Sequence, residues 1–158
     1  MRTPPGVQQQ AVPDRRRRLL ILVICSISLL IVGLDVTIVN VALPAIQRSL
    51  HATLSGLQWT VDAYTIVLAS LLMLAGSTGD RLGRRRTFQT GLALFAAGSL
   101  ACSVAPTLGW LIAARALQGI GGSMLNPVAM SIIANTFTVP RERARAIGIW
   151  GGVVGFSM

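Results

Sequence analysis

Apolar and polar residues follow one another along this chain in long blocks rather than at short period. The start is polar, rich in proline and glutamine, and ends in Asp14 and the four arginines Arg15 to Arg18. An apolar block then runs from about Leu19 to Leu43. At about 1.5 Å per helical residue it is long enough to cross roughly 30 Å of hydrocarbon. Further apolar blocks run from about Trp59 to Thr78, from about Thr87 to Ala105, and from Leu108 past Pro127 to about Phe137. A last block starts near Arg145; its span to Met158 is roughly 20 Å, short of a full crossing. The pattern predicts an all-α membrane protein with four full spans and the start of a fifth. Residues 1–18 are expected to be a disordered basic cytoplasmic tail. Residues 19–158 are expected to form an N-terminal transmembrane bundle, incomplete at its C-terminus. The first block is too long for a signal-peptide core and lacks a small-x-small cleavage site.

Composition agrees with a membrane class: 53% of residues are hydrophobic and 12% charged. A net charge of +9 raises nucleic-acid binding as an option. Such binders spread basic residues over a polar face, whereas these arginines lie between apolar blocks. Arg2, Arg15 to Arg18, Arg81, Arg84 to Arg86, Arg141, Arg143 and Arg145 fall on one side of the predicted spans. Arg48 falls on the other, and Arg115 inside a span. The bias places the N-terminus in the cytoplasm. Cys25 and Cys102 sit within apolar blocks and read as packing residues rather than a disulfide. His51 has no assigned role. There is no zinc-ligand spacing, nucleotide motif or nucleophile arrangement, so neither a cofactor nor an enzyme is expected.

The stretch "GDRLGRRR", residues 79–86, gathers charge between the second and third blocks. As a cytoplasmic loop it would help set topology by charge alone. It also carries Asp80 and a spacing of three and four between Gly76, Gly79 and Gly83. That spacing suits a helical face where a neighbour approaches closely. Both readings are open on the residues alone.

Ionisable side chains inside a span are costly, so they face protein or water and tend to be functional. Asp35, in the first span, is either a hydrogen-bonded structural group or an acid able to carry a proton and meet a cationic substrate. Gly33, Thr37 and Asn40 mark a nearly opposite face, which predicts a first helix surrounded by protein or cavity. Arg115, Gln118, Gly119 and Gly122 fall at i, i+3, i+4 and i+7 on the fourth span, one polar and small face. Arginine keeps its proton, so Arg115 is a partner for a carboxylate, not a proton carrier. Asp35 lies roughly 24 Å from the inner end of its span and Arg115 roughly 10 Å from the outer end of its own. At similar depth, the two are expected to be electrostatically coupled. Asp62, beside Trp59, reads as an interfacial residue. Gly119, Gly121 and Gly122 lie mid-span with no preceding strand, which favours helix packing over phosphate binding.

These motifs carry a resemblance. "GSTGDRLGRRR" resembles motif A of the major facilitator superfamily at Gly76, Asp80, Arg81, Gly83, Arg84 and Arg85. "RALQGIGGS" resembles its motif B at Arg115, Gln118, Gly119 and Gly121. "LDVTIVNVALP" resembles the first-span signature of the fourteen-span EmrB/QacA-like drug:proton antiporters at Asp35, Asn40, Ala42 and Pro44. The resemblance implies the N-terminal part of a major facilitator bundle, with protons, a small-molecule substrate, membrane lipid and a C-terminal bundle of the same transporter as partners. It implies a conformational latch at Gly76, Asp80, Arg81, Gly83, Arg84 and Arg85. It also implies proton or substrate coupling at Asp35 and Arg115, and cavity or packing positions at Asn40, Gln118, Gly119 and Gly122. The antiporter motif C of that group would begin about where the sequence stops. An exporter of another metabolite class, or a truncated membrane protein without transport, are the alternative readings.

Overall fold

The structure, a computed structural model, describes residues 14–157. Five helices follow in order: α1 (Arg15–Leu50), α2 (Leu54–Leu82), α3 (Arg84–Ser103), α4 (Leu108–Thr136) and α5 (Pro140–Ser157). Connections of one to four residues join them, and such short links turn successive helices antiparallel. The number and order of helices agree with the hydropathy blocks. Several boundaries do not.

The tail expected over residues 1–18 does not extend through Arg18. Arg15 to Arg18 form the first turn of α1, and the Arg18 amide donates to the Asp14 carbonyl at 3.1 Å. Arginine is a good helix former, and the turn extends a helix already nucleated by the apolar block. Residues 1–13, the rest of the predicted tail, lie outside the described residues. At the other end, α1 continues through Pro44 to Leu50. Proline is tolerated in long membrane helices because neighbouring groups satisfy the freed backbone. At 36 residues, roughly 54 Å, α1 is longer than a hydrocarbon core is thick. α5 starts at Pro140, five residues before the expected Arg145, with proline at the first helical position, where its missing N–H costs nothing.

The largest correction concerns "GDRLGRRR". It is not a loop. Asp80 and Arg81 lie in the last turn of α2, and Arg84 to Arg86 open α3. The connection is Gly83 alone, with φ of 93°. A residue with a Cβ is strained there, and glycine is not. Gly83 is therefore the corner of the hairpin and does not share a helical face with Gly76 and Gly79.

The helix ends are readable chemically. The Thr53 hydroxyl accepts from the Gly56 amide at 3.2 Å and caps α2; the Thr107 hydroxyl accepts from the Trp110 amide at 3.3 Å and caps α4. His51 takes the left-handed conformation that ends α1.

α4 is the axis of the fold. Its buried residues run around the helix from Leu111 to Ile133 and include Arg115, Gln118 and Ser123. α2 and α3 pack chiefly on α4 rather than on each other. Glycines set that approach. A Cβ on Gly121 would collide with the Phe95 amide nitrogen and lie 2.7 Å from the Gly91 carbonyl; a Cβ on Gly98 would lie 2.9 Å from the Gln118 backbone. The contacts are backbone, which cannot move aside cheaply. Leu22, Cys25 and Val32 of α1 complete the core with Ala146 of α5. At one end of these helices Arg18 pairs with Glu142 at 3.1 Å. The opposite face of α1 is apolar and exposed: Leu19, Leu20, Val23, Ile24, Ile27 and Ile31. Such a stripe suits hydrocarbon rather than water. By length and composition, α1 and α2 are each able to cross a membrane.

Gly121→Ala is expected to destabilise the fold by about 1–3 kcal/mol through overpacking of α3 on α4. Gly109→Ala, where nothing lies within 4 Å of the added carbon, serves as the control. Thermal unfolding in detergent reads both, and equal midpoints for the two variants would contradict this account of the packing.

Candidate functional site

A buried ion pair sits where α1, α2, α3 and α4 meet. Arg115 projects from the buried face of α4 and is 2% exposed; Asp35 enters from α1 and is 15% exposed. The Arg115 Nη1 donates to Asp35 Oδ2 at 2.6 Å and to Gln118 Oε1 at 2.8 Å. The Gln118 Nε2 donates to Asp35 Oδ1 at 2.6 Å. Both carboxylate oxygens are thus held by α4. The i, i+3 spacing of Arg115 and Gln118 lets one helix present both donors to one carboxylate.

Two further helices close the site. The Arg115 Nε donates to the Thr60 carbonyl of α2 at 3.3 Å, and the guanidinium carbon lies 4.3 Å from the centre of the Tyr64 ring. A desolvated cation over an aromatic face is worth about 2 kcal/mol. From α3 the Cys102 thiol approaches Gln118 Oε1 at 3.7 Å. Gly98, one turn earlier, permits this by bringing α3 onto the Gln118 backbone. Removing one member of a buried ion pair costs about 3–5 kcal/mol, because the other charge is left without compensation. The parts of the site therefore depend on one another.

Of the residues singled out by sequence, the structure brings together Asp35, Arg115 and Gln118. Gly119 and Gly122 lie against Tyr64 and neighbouring side chains of α2, as packing positions. Asn40 does not join them. It is exposed, and its amide donates to the Val36 carbonyl of its own helix at 3.0 Å. The C-terminal half of α1 is exposed at Val36, Ile38 and Val41, so the described residues do not by themselves supply the enclosure expected for this helix. Asp62 is half-buried near the start of α2 and makes none of the cluster's hydrogen bonds. Thr60, Tyr64 and Cys102 were missed as site residues. Thr60 and Tyr64 share one face at i, i+4, and that spacing is the signal the sequence held. For Cys102 no local signal existed, because its partner is Gln118 on the next helix.

A second constellation lies at the hairpin between α2 and α3. The Arg84 Nη2 donates to Asp80 Oδ1 at 3.0 Å and its Nε to the same oxygen at 3.3 Å. The Arg84 Nη1 also points to the Ser131 carbonyl of α4 at 3.5 Å. A cleft of about 150 Å³ opens beside them, lined by Gly76, Gly79, Asp80, Arg84, Pro127, Val128 and Ser131. A Cβ on Gly79 would stand 3.1 Å from Val128. Arg81, Arg85 and Arg86 are exposed on the same end.

With this geometry in view, the kinship of the chain is informative. The profile of the Major Facilitator Superfamily matches residues 25–158. The chain is 45% identical over 124 residues to a methylenomycin A resistance protein of Streptomyces coelicolor, covering 78% of this chain and 26% of that protein. It is 44% identical over 143 residues to the puromycin resistance protein pur8 of Streptomyces alboniger, covering 90% of this chain and 28% of that protein. It is 41% identical over 138 residues to the multidrug resistance protein Stp of Mycobacterium tuberculosis, covering 87% of this chain and 26% of that protein. The chain thus spans about a quarter of the length of the curated relatives it matches. A family match over nearly all of the described helices, together with relatives 41–45% identical over most of this chain, leads to one conclusion: the chain belongs to the major facilitator superfamily, a family of integral membrane transporters.

Proposed function

We propose that this chain is part of a transporter that moves drugs or other amphipathic compounds out across the cell membrane in exchange for protons. The observation that carries the proposal is the buried Asp35–Arg115–Gln118 cluster. With Asp35 ionised, the charges of Asp35 and Arg115 cancel. A proton on Asp35 leaves a net positive charge, because arginine does not release its own proton. A cationic substrate beside an ionised Asp35 leaves the same net charge. Inside a membrane bundle, one uncompensated charge is costly. Proton and cationic substrate therefore compete for one carboxylate, and occupancy by either favours a rearrangement that rehydrates the site. That is the logic of antiport. The relatives' names, which refer to resistance to puromycin, methylenomycin A and several drugs, support drug-sized cargo.

The second constellation fits a latch. Asp80 and Arg84 bind across the Gly83 corner, and Arg84 reaches α4, so a movement of α2 against α4 would strain both contacts. The cleft beside them would receive an element of the second bundle in one state of the cycle. Topology follows from the arginines: the Arg15–Arg18 turn, the Gly83 corner and the start of α5 face the cytoplasm.

Three outcomes are expected in the full-length protein. Asp35→Asn should abolish efflux driven by a pH gradient, weaken binding of a cationic substrate and remove the pH dependence of that binding; proton-driven efflux at the original rate would reject the antiport reading. Asp80→Asn should slow turnover by about tenfold, the loss of roughly 1.4 kcal/mol from one step, with little change in equilibrium substrate affinity. A large loss of affinity at unchanged turnover would instead make Asp80 a cargo ligand. Finally, cysteine at position 17 should react with an impermeant reagent only after permeabilisation, and cysteine at position 51 without it. The reverse pattern would invert the topology.

A further inference from the structure

Tyr64 is buried, yet its hydroxyl oxygen has no hydrogen-bond partner among the described residues. The ring, not the hydroxyl, is the part that is engaged. Its face covers the Arg115 guanidinium at 4.3 Å. Its seat is made by two glycines of α4. A Cβ on Gly119 would lie 2.8 Å from the Tyr64 carbonyl, and a Cβ on Gly122 would lie 3.1 Å from the Tyr64 hydroxyl oxygen. The fourth helix thus gives up two side chains where this ring lies.

The two members of the ion pair are unequally sealed. Asp35 keeps 15% exposure and Arg115 only 2%. The carboxylate is the more accessible member of the pair, and the guanidinium is sealed by the described helices. When Asp35 is neutralised, Arg115 must keep its charge in place with what remains: Gln118 Oε1, the Thr60 carbonyl and the Tyr64 ring. An aromatic face attracts a cation without a formal charge. It supports Arg115 and does not bind a proton in competition with Asp35. The ionisable groups that face the guanidinium are Asp35 from α1, Tyr64 from α2 and, through Gln118, Cys102 from α3.

We propose that Tyr64 is a positioning residue for Arg115, whose ring holds the buried cation in place while Asp35 is neutral. The assignment extends the proton-coupling reading, and the experiment separates the two. Thermal unfolding midpoints of the full-length protein in detergent would be measured across pH for the unaltered protein, Tyr64→Phe, Tyr64→Leu, Asp35→Asn and the double variant Asp35→Asn/Tyr64→Leu. Tyr64→Phe keeps the ring and should match the unaltered protein. Tyr64→Leu should show a constant packing loss at high pH and a progressively larger one as pH falls through the range in which Asp35 is neutralised. In the Asp35→Asn background the loss on Tyr64→Leu should be larger than in the Asp35 background and flat with pH. A Tyr64→Leu loss equal in both backgrounds at high pH, or Tyr64→Phe as damaging as Tyr64→Leu, overturns the assignment. A larger loss in the Asp35→Asn background with no pH dependence when Asp35 is present upholds Tyr64 and overturns proton loading at Asp35. Should that double variant not fold, Asp35→Asn/Tyr64→Met with Tyr64→Met takes its place, and a loss at high pH that is equal in both backgrounds again overturns the assignment.

Discussion

A permanent positive charge on the central helix, sealed from water, is the constraint around which the rest of this structure is arranged. Arg115 cannot become neutral and is 2% exposed. Every helix around it must therefore supply something. α1 supplies a carboxylate, α2 a carbonyl and an aromatic face, and α4 itself the Gln118 amide oxygen. α3 supplies no charge, but its thiol meets the far side of Gln118. A cluster of this kind ties helix positions to the charge state of one acid. Any change at Asp35 is felt on all the helices that compensate Arg115.

That coupling requires close helices, and glycine makes them close. Gly91 and Gly98 of α3 meet Gly121 and Gln118 of α4, and Gly119 and Gly122 of α4 meet the Tyr64 turn of α2. In hydrocarbon there is little hydrophobic gain from bringing helices together, so small residues and backbone proximity carry the association. The same glycines bring the Tyr64 turn of α2 and the Cys102 turn of α3 onto the stretch of α4 that carries Arg115 and Gln118. Packing and electrostatics are therefore one design, and a bulky substitution in the packing would misplace the charges.

The charged end of the bundle obeys a different balance. Asp80 with Arg84, and Arg18 with Glu142, are ion pairs with at least one exposed member. Such pairs contribute little net stability. Their value is geometric. One joins two helices across the single residue Gly83, and the other links the start of α1 to the start of α5. Weak, specific contacts at the ends and a strong, sealed one in the middle leave the bundle tied most firmly at its centre.

Hydropathy alone determined the helix count and order, because a helix in hydrocarbon must be apolar over most of its length and this leaves a trace in any window of the sequence. The spacing of Arg115 and Gln118 showed a polar face before any contact was known. The single-residue corner at Gly83 was hidden, since charged residues at helix ends and charged residues in a loop have the same composition. Arg15 to Arg18 were hidden in the same way: a helix that leaves the membrane loses its apolar signal but not its hydrogen bonds. Asp35 and Arg115 were matched only by depth; their direct contact, and Gln118 as the second donor to the carboxylate, depend on how α1 leans on α4. Tyr64 and Cys102 were out of reach for a plainer reason. A tyrosine or a cysteine in an apolar run is an ordinary packing residue until a guanidinium or an amide from another helix is placed against it, and only the tertiary structure brings that partner there.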